Sequence, residues 1–385
     1  MHFVFLLLDK KVYNIKIKLI RISRFLGWFI FSIFKRKTIG LRVHSKKGMH
    51  WFIGYYDVRS IRNNQLYFHE VSVMPKNDTQ KCKIMSLNLK TNKVRELYSS
   101  YAVNWQLGSR LQLYGDDLAF NDCVNGKLIH RVINLNNKVE IFCDVPFWSK
   151  NIEMDFTFTI DFERLWSERR GYGYYGKMAS ELKDAIGILD YNCKNTLSII
   201  KLERIQKELR LPQGGYLNHI VMNDNCSLIL TTYNFENKHK RFVQPVIYDL
   251  IADKIYTFNP GATFSHPAFI GTNKIGYFDG SGYVHFDLNT KNRFYYFKTK
   301  SDGHPTFLPN GNLITDTYPN KYSKMEVYEF SSGKKIEHLK HFNPPPFHGD
   351  NRCDLHPRYE NELLLMDLPF LGGRAIGSKK LVLQN

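Results

Sequence analysis

Cysteine is scarce in this chain: there are six in 385 residues, and no two of them form a CxxC pair. They are Cys82, Cys123, Cys143, Cys193, Cys226 and Cys353. This wide spacing argues against the dense disulfide framework of small secreted proteins. It favours reduced thiols in a cytoplasm, with one structural disulfide as the alternative.

Long apolar runs are also missing. A compact run at Phe25–Phe34 has ten residues, whereas a membrane-spanning helix needs about 20. The first residues, MHFVFLLLDKK, have too short an apolar part for a secretory signal, and no A-x-A-like cleavage site follows Phe34. The sequence therefore predicts neither a transmembrane helix nor export, and we expect a cytoplasmic protein.

Acidic residues are nearly absent from the N-terminal part. Residues 1–48 carry twelve Lys or Arg and one acid, Asp9, and so hold +11 of the net charge of +18. Residues 10–47 mix these cations with aromatics, a pattern that fits a helix lying on the inner face of the cytoplasmic membrane. The alternative is a helix packed on the folded body. Because the excess charge is mostly N-terminal, we expect no nucleic acid as a partner.

A hairpin recurs along the rest of the chain. Each copy has a strand, a polar turn and a second strand: SLNLKTNKVREL (87–98), VINLNNKVEIF (132–142), ILDYNCKNTLSII (188–200), IYDLIADKIYTF (247–258), HFDLNTKNRFYYF (285–297) and VYEFSSGKKIEHL (327–339). Equivalent residues of successive copies are 46, 55, 60, 38 and 42 residues apart. A four-stranded propeller blade needs about 40 to 45 residues, with the excess carried by loops.

An alternating strand followed by a turn opens each unit, from LYFHEVSV to LLLMDLPFLGG. If a strand from around residues 40–53 completes the last unit, there are seven; six is the alternative. We predict an all-β, seven-bladed β-propeller over residues 49–385, preceded by a basic amphipathic segment at residues 1–48. The long interval near 150–215 should contain one helix, in either GKMASELKDAIG or LERIQKELR.

Four histidines keep the same place in consecutive units, at the start of the predicted inner strand. They are His219, His266, His304 and His356, spaced 47, 38 and 52 residues apart. Equivalent positions of a propeller converge at one end of its central channel. Neutral imidazoles there, joined by oxygens of Asp302, Asn351 or Asp354, suit Mn²⁺, Fe²⁺ or Zn²⁺ better than a soft metal. The alternative is that each histidine begins a strand and bonds to a neighbouring blade.

Aromatic and charged residues in other units predict a polar funnel at the same end of the channel. They are Tyr55, Tyr56 and Asp57 in FIGYYD, Gln106 and Arg110 in NWQLGSRL, Asp161, Arg164, Arg169 and Arg170 in DFERLWSERRGYGYY, and Arg241. Aromatic rings stack on sugar faces, and guanidinium groups bind carboxylates through two hydrogen bonds, so the set suits an acidic glycan. Interblade packing and solvated turns are the ordinary alternatives for each residue singly.

The histidine-led blades and the HP-containing motif of the last blade resemble the oligogalacturonate lyase family, whose members are seven-bladed propellers that bind Mn²⁺. The resemblance spans roughly residues 50–385 and rests on short motifs. GYYD (54–57), WQLGSRL (105–111), RRGYGY (169–174), DGHP (302–305), TDTYP (315–319) and RCDLHP (352–357) are more similar to propellers encoded among bacterial surface-polysaccharide genes.

This resemblance implies a set of site residues. In the lyases the last blade supplies three ligands as Q-x-x-H-x-H and the preceding blade a further His. The matching positions here are Asn351, Asp354, His356 and His304. Two of the three last-blade ligands are changed, so a Mn²⁺ site is implied while the identity of the metal is in doubt. His266 matches the catalytic base and Arg241 falls near the assisting Arg; we group His219 with these catalytic candidates.

Three functions follow from these observations. The first is metal-assisted β-elimination on an acidic oligo- or polysaccharide in bacterial surface-polysaccharide metabolism, with His266 as the base and Arg241 on the carboxylate. The second is a non-catalytic glycan-binding or scaffolding propeller, docked on the membrane through residues 10–47. The third, a WD-type interaction propeller, ranks last because WD and GH dipeptides do not end these units.

Overall fold

The all-β prediction is confirmed, because strands dominate the structure and helices are few. The computed structural model describes residues 40–72, 80–151, 153–169, 171–237, 241–308, 310–319, 322–328, 333–344, 347, 349–370 and 373–381. These residues form seven antiparallel sheets, six of four strands and one of five. The chain is a seven-bladed β-propeller, and the six-bladed alternative is wrong.

The strands are numbered in chain order, beginning with β1 (Arg42–His44). Blade one contains β2 (His50–Phe52), β3 (Ile61–Arg62), β4 (Gln65–Val71), β5 (Cys82–Asn88) and β6 (Val94–Ser100). Blade two contains β7 (Gln112–Tyr114), β8 (Asp117–Val124), β9 (Lys127–Asn134) and β10 (Glu140–Cys143). Blade three contains β11 (Ser149–Asn151), β12 (Phe156–Ile160), β13 (Ala185–Asp190) and β14 (Thr196–Lys201).

The remaining four blades follow the same order. Blade four contains β15 (Tyr216–Met222), β16 (Leu228–Glu236), β17 (Arg241–Asp249) and β18 (Lys254–Tyr256). Blade five contains β19 (Ser265–Ile270), β20 (Lys274–Phe278), β21 (Gly282–Asp287) and β22 (Arg293–Lys298). Blade six contains β23 (Thr306–Phe307), β24 (Leu313–Asp316), β25 (Tyr322–Tyr328) and β26 (Lys335–Phe342). Blade seven contains β27 (Arg358–Glu360), β28 (Leu363–Phe370) and β29 (Gly373–Lys380).

Strand β1 closes the ring of blades. It pairs antiparallel with β29, with Val43 opposite Gly377, and so supplies the outermost strand of blade seven. The prediction that a strand within residues 40–53 completes the last blade is therefore confirmed. The other strand in that range, β2, belongs to blade one. Because one sheet joins both ends of the propeller, its strand pairing holds the ring shut.

The recurring hairpin owes its form to a shared turn. In four units an Asn or Asp side-chain oxygen accepts hydrogen bonds from the backbone N–H groups two and three residues later, and the residue after that turn is left-handed. The accepting residues are Asn88, Asn134, Asp249 and Asp287. Such side chains imitate a backbone turn and so fix where the third strand ends and the fourth begins. This turn explains why the polar motif marks the blades so well.

Two helices are present in the described residues, both between 150 and 215. The first, α1 (Phe162–Glu168), begins at Asp161, whose side chain accepts a hydrogen bond from Arg164 N, and it was not predicted. The second, α2 (Leu202–Leu209), is the predicted LERIQKELR helix, and it buries Leu202 and Ile205. The alternative, GKMASELKDAIG, forms only a 3₁₀ turn at Ser180–Leu182. Its final residues instead enter β13, where the backbone pairs with β12.

The basic segment at residues 10–47 falls mostly outside the described residues, so its predicted membrane helix stays a prediction. Within the described part of the chain, no helix has the length and apolar character needed to cross a bilayer. The first strand of each blade lines the central channel: β15 contacts β19, and β19 contacts β23. These inner strands position the site described below.

Candidate functional site

In blades two to seven, one residue near the start of the inner strand contacts its counterpart in a neighbouring blade, and Tyr55, between β2 and β3, contacts His219, His304 and His356. We call these seven residues the channel ring. The Arg110 guanidinium carbon lies 4.6 Å from the centre of the Trp148 ring. The other contacts are given as distances between ring centroids: Trp148 to His219 5.5 Å, His219 to His266 6.4 Å, His266 to His304 4.4 Å, His304 to His356 4.3 Å and His356 to Tyr55 5.0 Å. The structure thus brings the four histidines together.

The backbone explains how three of the histidines reach this place. His219, His266 and His356 have left-handed conformations, with φ of 61°, 49° and 44°. Strand pairing shifts register between Asn218 and Ile220, which leaves His219 as the unpaired residue of a β-bulge, and a similar irregularity contains His266. A bulge re-aims a side chain out of the strand alternation. A left-handed non-glycine residue costs about 1 to 2 kcal/mol, and its recurrence here is typical of a position under functional constraint.

His304, Asp354 and His356 form a compact set of donors that we call the channel triad. One ligand atom from each lies within 4.8 Å of the others, and all three side chains are buried. Asp316 organises the triad from behind. Its carboxylate accepts hydrogen bonds from His304 Nδ1 at 2.9 Å and from the backbone N–H groups of His304 and His356 at 2.8 and 3.0 Å.

The donor set fits a divalent metal. Because the Asp316 carboxylate accepts a hydrogen bond from Nδ1–H of His304, the lone pair of this ring lies on Nε2, which has no hydrogen-bond partner among the described residues. Both ring nitrogens of His356 are likewise buried and have no hydrogen-bond partner in the part of the chain that the structure describes. Buried polar atoms are normally hydrogen-bonded, and a carboxylate behind a histidine is the usual support of a metal ligand. Two imidazoles and one carboxylate suit a cation such as Mn²⁺, Fe²⁺ or Zn²⁺.

Burial and neighbouring charges separate the four histidines. Burial, together with the neighbouring imidazoles and arginines, holds the pKa values of His219 and His356 well below the usual range. Burial also lowers the pKa of His266, against the opposing effect of Asp302. For His304, burial lowers the pKa, but the Asp316 carboxylate outweighs it and the pKa is raised. At neutral pH, His219, His266 and His356 are therefore uncharged, as a metal ligand or a general base must be.

His266 lies between the channel triad and solvent, with partners on both ring nitrogens. Its Nδ1 is 2.9 Å from Ser265 Oγ and 3.3 Å from an oxygen of Asp302, and Ser265 Oγ donates to the other oxygen of Asp302 at 2.7 Å. The Tyr318 hydroxyl is 3.3 Å from His266 Nε2. Asp302 therefore favours the tautomer with the proton on Nδ1 and the lone pair on Nε2.

A cleft of about 760 Å³ opens beside the channel ring, between blades four and five. Its lining includes His219, His266, Asp302, Tyr318 and Arg169. The Arg169 guanidinium carbon lies 4.4 Å from the centre of the Tyr172 ring. Among the described residues no carboxylate pairs with Arg169, so its guanidinium remains available to an anion in the cleft.

Four of the predicted substrate residues lie in or near the channel ring. The Tyr55 hydroxyl is 3.2 Å from His219 Nε2. Arg110 donates to both oxygens of Asp57, at 2.7 and 3.1 Å, and to the Trp148 carbonyl. The amide nitrogen of Gln106 donates to the Arg352 carbonyl at 3.2 Å. Arg110 and Asp57 thus satisfy each other, and the geometry favours a structural role for them over the predicted substrate binding.

Other predicted residues are not brought to the triad. Arg164 pairs with Asp184 and donates to the Gly215 carbonyl at 2.9 Å, so it is engaged away from the channel ring. Asn351 accepts from Trp105 through its backbone carbonyl, and in the described residues its side chain makes no hydrogen bond to the triad. Arg241 begins β17, but its side chain, like the whole of Arg170, lies outside the described residues. The roles predicted for these two arginines stay predictions.

Several residues of the site were missed as functional candidates, and two of them, which bond to the channel triad, lie in motifs that the sequence analysis quoted. Asp316 belongs to TDTYP, and Arg352 belongs to RCDLHP. Arg352 Nε donates to both oxygens of Asp354, at 3.1 and 2.9 Å. The signal that could have found them is their spacing: Asp316 follows His304 by twelve residues, across one β-hairpin.

No protein-family model matches the chain, and no curated protein matches it by sequence. Similar solved structures include a chain of the Mitotic Checkpoint Complex, at 9% identity and a TM-score of 0.52, covering 90% of this chain and 97% of that one. An oligogalacturonate lyase in complex with manganese has 10% identity and a TM-score of 0.41, covering 90% and 98%. TolB from Acinetobacter baumannii has 10% identity and a TM-score of 0.41, covering 82% and 68%. At these identities the likeness concerns the propeller fold alone.

Proposed function

We propose that this propeller is a metal-dependent enzyme that acts on an acidic oligo- or polysaccharide by β-elimination. The observation that carries the proposal is that partnerless buried imidazole nitrogens lie beside a cleft lined by Arg169, a guanidinium with no carboxylate partner in the described residues. Such a site recognises an anion and offers neutral nitrogen bases next to it. The substrate class is part of the proposal and rests on the resemblance of short motifs to propellers encoded among surface-polysaccharide genes.

The channel triad is the proposed metal site. His304 would bind through Nε2, His356 through a ring nitrogen and Asp354 through a carboxylate oxygen. A divalent metal held there would supply positive charge next to a uronate carboxylate, which would make the adjacent C–H more acidic. Asp316 keeps both histidines in place through the side chain of His304 and the two backbone N–H groups.

His266 is the proposed base. It lines the cleft, and its ring centroid is 4.4 Å from that of His304, so it lies between substrate and triad. Asp302 and Ser265 hold Nδ1. The Nε2 lone pair, which faces the Tyr318 hydroxyl at 3.3 Å, would take the proton from the carbon next to the carboxylate once substrate displaces that hydroxyl. The electrons of that C–H bond form the new double bond, and the glycosidic oxygen leaves and takes a proton from solvent.

Arg169 is the proposed partner of the substrate carboxylate. Its burial against Tyr172 strengthens an ion pair with an anion, because a guanidinium screened from water interacts more strongly than an exposed one. The planar guanidinium offers a carboxylate two parallel hydrogen bonds. We assign to Arg169 the role that the family resemblance implied for Arg241.

A second candidate, glycan binding without turnover, is favoured by one observation. The side chains of His304 and His356 are 0% exposed, so in this conformation a substrate in the cleft meets His266 and Tyr318 before it meets the triad. In that case the metal would stabilise the channel ring, and the cleft would bind a glycan as part of a scaffold.

The experiment uses the full-length protein loaded with Mn²⁺ and a panel of uronate-containing oligosaccharides. We expect ultraviolet absorbance from an unsaturated product, metal dependence of the rate, and a loss of turnover of about 10² to 10⁴-fold in His266→Ala with metal content retained. The matched control is His285→Gln, a histidine of the same blade outside the channel ring. Binding of the glycans without any absorbance change would reject elimination and support the second candidate. Unchanged turnover in His266→Ala would show that the base is wrongly assigned.

A further inference from the structure

A second group of potential metal ligands lies between blades two and three, apart from the channel triad. It consists of His130 in β9, Cys143 at the end of β10 and Cys193 in the turn between β13 and β14. One donor atom from each lies within 4.8 Å of the others. Nothing in the sequence spacing predicts this cluster, because its two thiols belong to different blades.

The distances match those between ligands of a tetrahedral zinc ion. Zn–S bonds of about 2.3 Å and Zn–N bonds of about 2.0 Å place neighbouring donors about 3.5 to 3.8 Å apart. Cys193 Sγ lies 3.8 Å from His130 Nε2. The Cys143 thiol adjoins that of Cys193. The two thiols and the imidazole therefore lie within reach of one cation with little rearrangement.

The orientation of His130 supports the same conclusion. Its Nδ1 lies 2.6 Å from the Val145 carbonyl, so Nδ1 carries the proton and donates it. The lone pair is then on Nε2, the nitrogen that lies near the thiol of Cys193. A backbone carbonyl holding the far nitrogen is the common support of a metal-binding histidine.

Lys150 lies beside these three residues and is the candidate for a fourth ligand. Its Nζ is 3.0 Å from His130 Nε2 and 2.5 Å from the Tyr191 carbonyl, and the residue is 4% exposed. Among the described residues no carboxylate forms an ion pair with it. Two thiolates, a neutral imidazole, a neutral amine and a divalent cation sum to zero charge, which suits a buried position.

We propose that His130, Cys143, Cys193 and Lys150 form a binding site for a soft divalent cation of the Zn²⁺ type, which joins blades two and three. On binding, the protons of the thiols and of the Lys150 ammonium are released to solvent, and the four S and N donors each form one bond to the metal. The site has four protein ligands and no open position, so its role is structural.

The test is a titration of the reduced, full-length protein with Co²⁺ alone. It is done in the His304→Ala/His356→Ala background so that the channel triad does not contribute. We expect thiolate-to-cobalt charge-transfer absorption and tetrahedral ligand-field bands that saturate at one Co²⁺ per chain and disappear when Zn²⁺ is added. Cys143→Ser and Cys193→Ser should each lose the thiolate band, while the control Cys123→Ser, a partly exposed thiol of blade two, keeps it.

Two further measurements test whether Lys150 is the fourth ligand and whether the two cysteines form a disulfide. Lys150→Met should weaken Co²⁺ binding by about tenfold or more and release one proton fewer, since the amine no longer contributes. Absence of a thiolate band in the parent protein, or its persistence in both serine variants, would overturn the proposal. So would a Cys143–Cys193 disulfide, detected by mass in protein purified under anaerobic conditions, because it would show a redox pair in place of a metal site.

Discussion

The two halves of the channel ring use the same backbone position for different purposes. In blades two and three the position holds Arg110 and Trp148, with Tyr55 of blade one in the same half of the ring, and the charged member is fully paired, since Arg110 donates to both oxygens of Asp57 and to the Trp148 carbonyl. In blades four to seven it holds histidines, and three of these have at least one ring nitrogen with no hydrogen-bond partner within the described residues. Trp148 Nε1 is also unpartnered, but an indole N–H only donates and cannot ligate a metal.

The difference teaches where stability and chemistry reside in this ring. A satisfied buried ion pair is costly to break and holds neighbouring blades together, whereas an unsatisfied acceptor lowers stability unless something binds it. The paired half therefore maintains the shape of the channel, and the histidine half is available for a ligand. Because both halves occupy one structural position, substitutions can be compared between them directly.

The largest effect on stability is expected from Arg110→Leu in the paired half. Removal of the buried guanidinium leaves Asp57 and the Trp148 carbonyl without their donors, and breaking such a pair costs about 3 to 5 kcal/mol. Urea unfolding monitored by tryptophan fluorescence measures this loss. A loss no larger than that of His285→Gln would contradict the structural role of Arg110.

Arg169→Leu should weaken the binding of acidic glycans while leaving the fold intact. Hydrogen bonds to a charged partner contribute about 1.5 to 3 kcal/mol, so the Kd for a uronate oligosaccharide should rise roughly tenfold to a hundredfold. Arg164→Leu, an arginine of the neighbouring helix that is engaged elsewhere, serves as the control. Equal losses in the two variants would remove Arg169 from the proposed site.

A pH titration of stability measures the effect of burial on His69, a histidine outside the channel ring. His69 bonds to Phe52 O and to Ser109, and burial lowers its pKa to about 3. Below about pH 6.5, His69 is protonated in the unfolded chain but stays neutral in the folded protein. The contribution of His69 to stability is therefore complete above that pH and is lost as the pH decreases toward 3. The loss from this group is about 2 kcal/mol at pH 5. The difference in unfolding free energy between wild type and His69→Gln, measured as a function of pH, isolates this loss. Parallel pH profiles would refute the lowered pKa of His69.

The smallest expected effect has the opposite sign. His356→Leu in metal-free protein replaces a buried imidazole that has no hydrogen-bond partner by an apolar side chain, so stability should rise by about 1 kcal/mol. Thermal unfolding in the presence of a chelator measures the change. The left-handed backbone at this position, with φ of 44°, is unfavourable for any residue that has a Cβ, in both proteins. A clear loss of stability would show that His356 has a structural partner.

Much of the fold was predictable, because each blade repeats a local turn. The Asn or Asp that begins the hairpin turn lies within a few residues of the N–H groups it binds, so its signal is visible in the sequence. The four histidines were predictable for the same reason, since they repeat with the blade. The helix α1 was not, because it occurs once and its seven residues are capped by Asp161 at a place where the sequence suggested a polar funnel.

The partners of the site residues were less predictable, because they depend on packing between blades. Arg164 and Arg169 lie in one short motif, yet Arg164 pairs with Asp184 while Arg169 lines the cleft. The cluster of His130, Cys143 and Cys193 joins residues from two blades. Such pairings depend on how adjacent sheets face each other, which no local pattern records.

The most direct test of the account is metal analysis of the full-length protein after Mn²⁺ loading and removal of excess metal. The parent protein carries Cys143→Ser, which removes one ligand of the thiol cluster. It is compared with two variants made in the same background, His304→Ala/His356→Ala in the histidine half and Trp148→Phe in the paired half. The account predicts one Mn²⁺ per chain in the parent and in Trp148→Phe, and none in the double alanine variant. Equal metal content in all three proteins, or none in the parent, would contradict it.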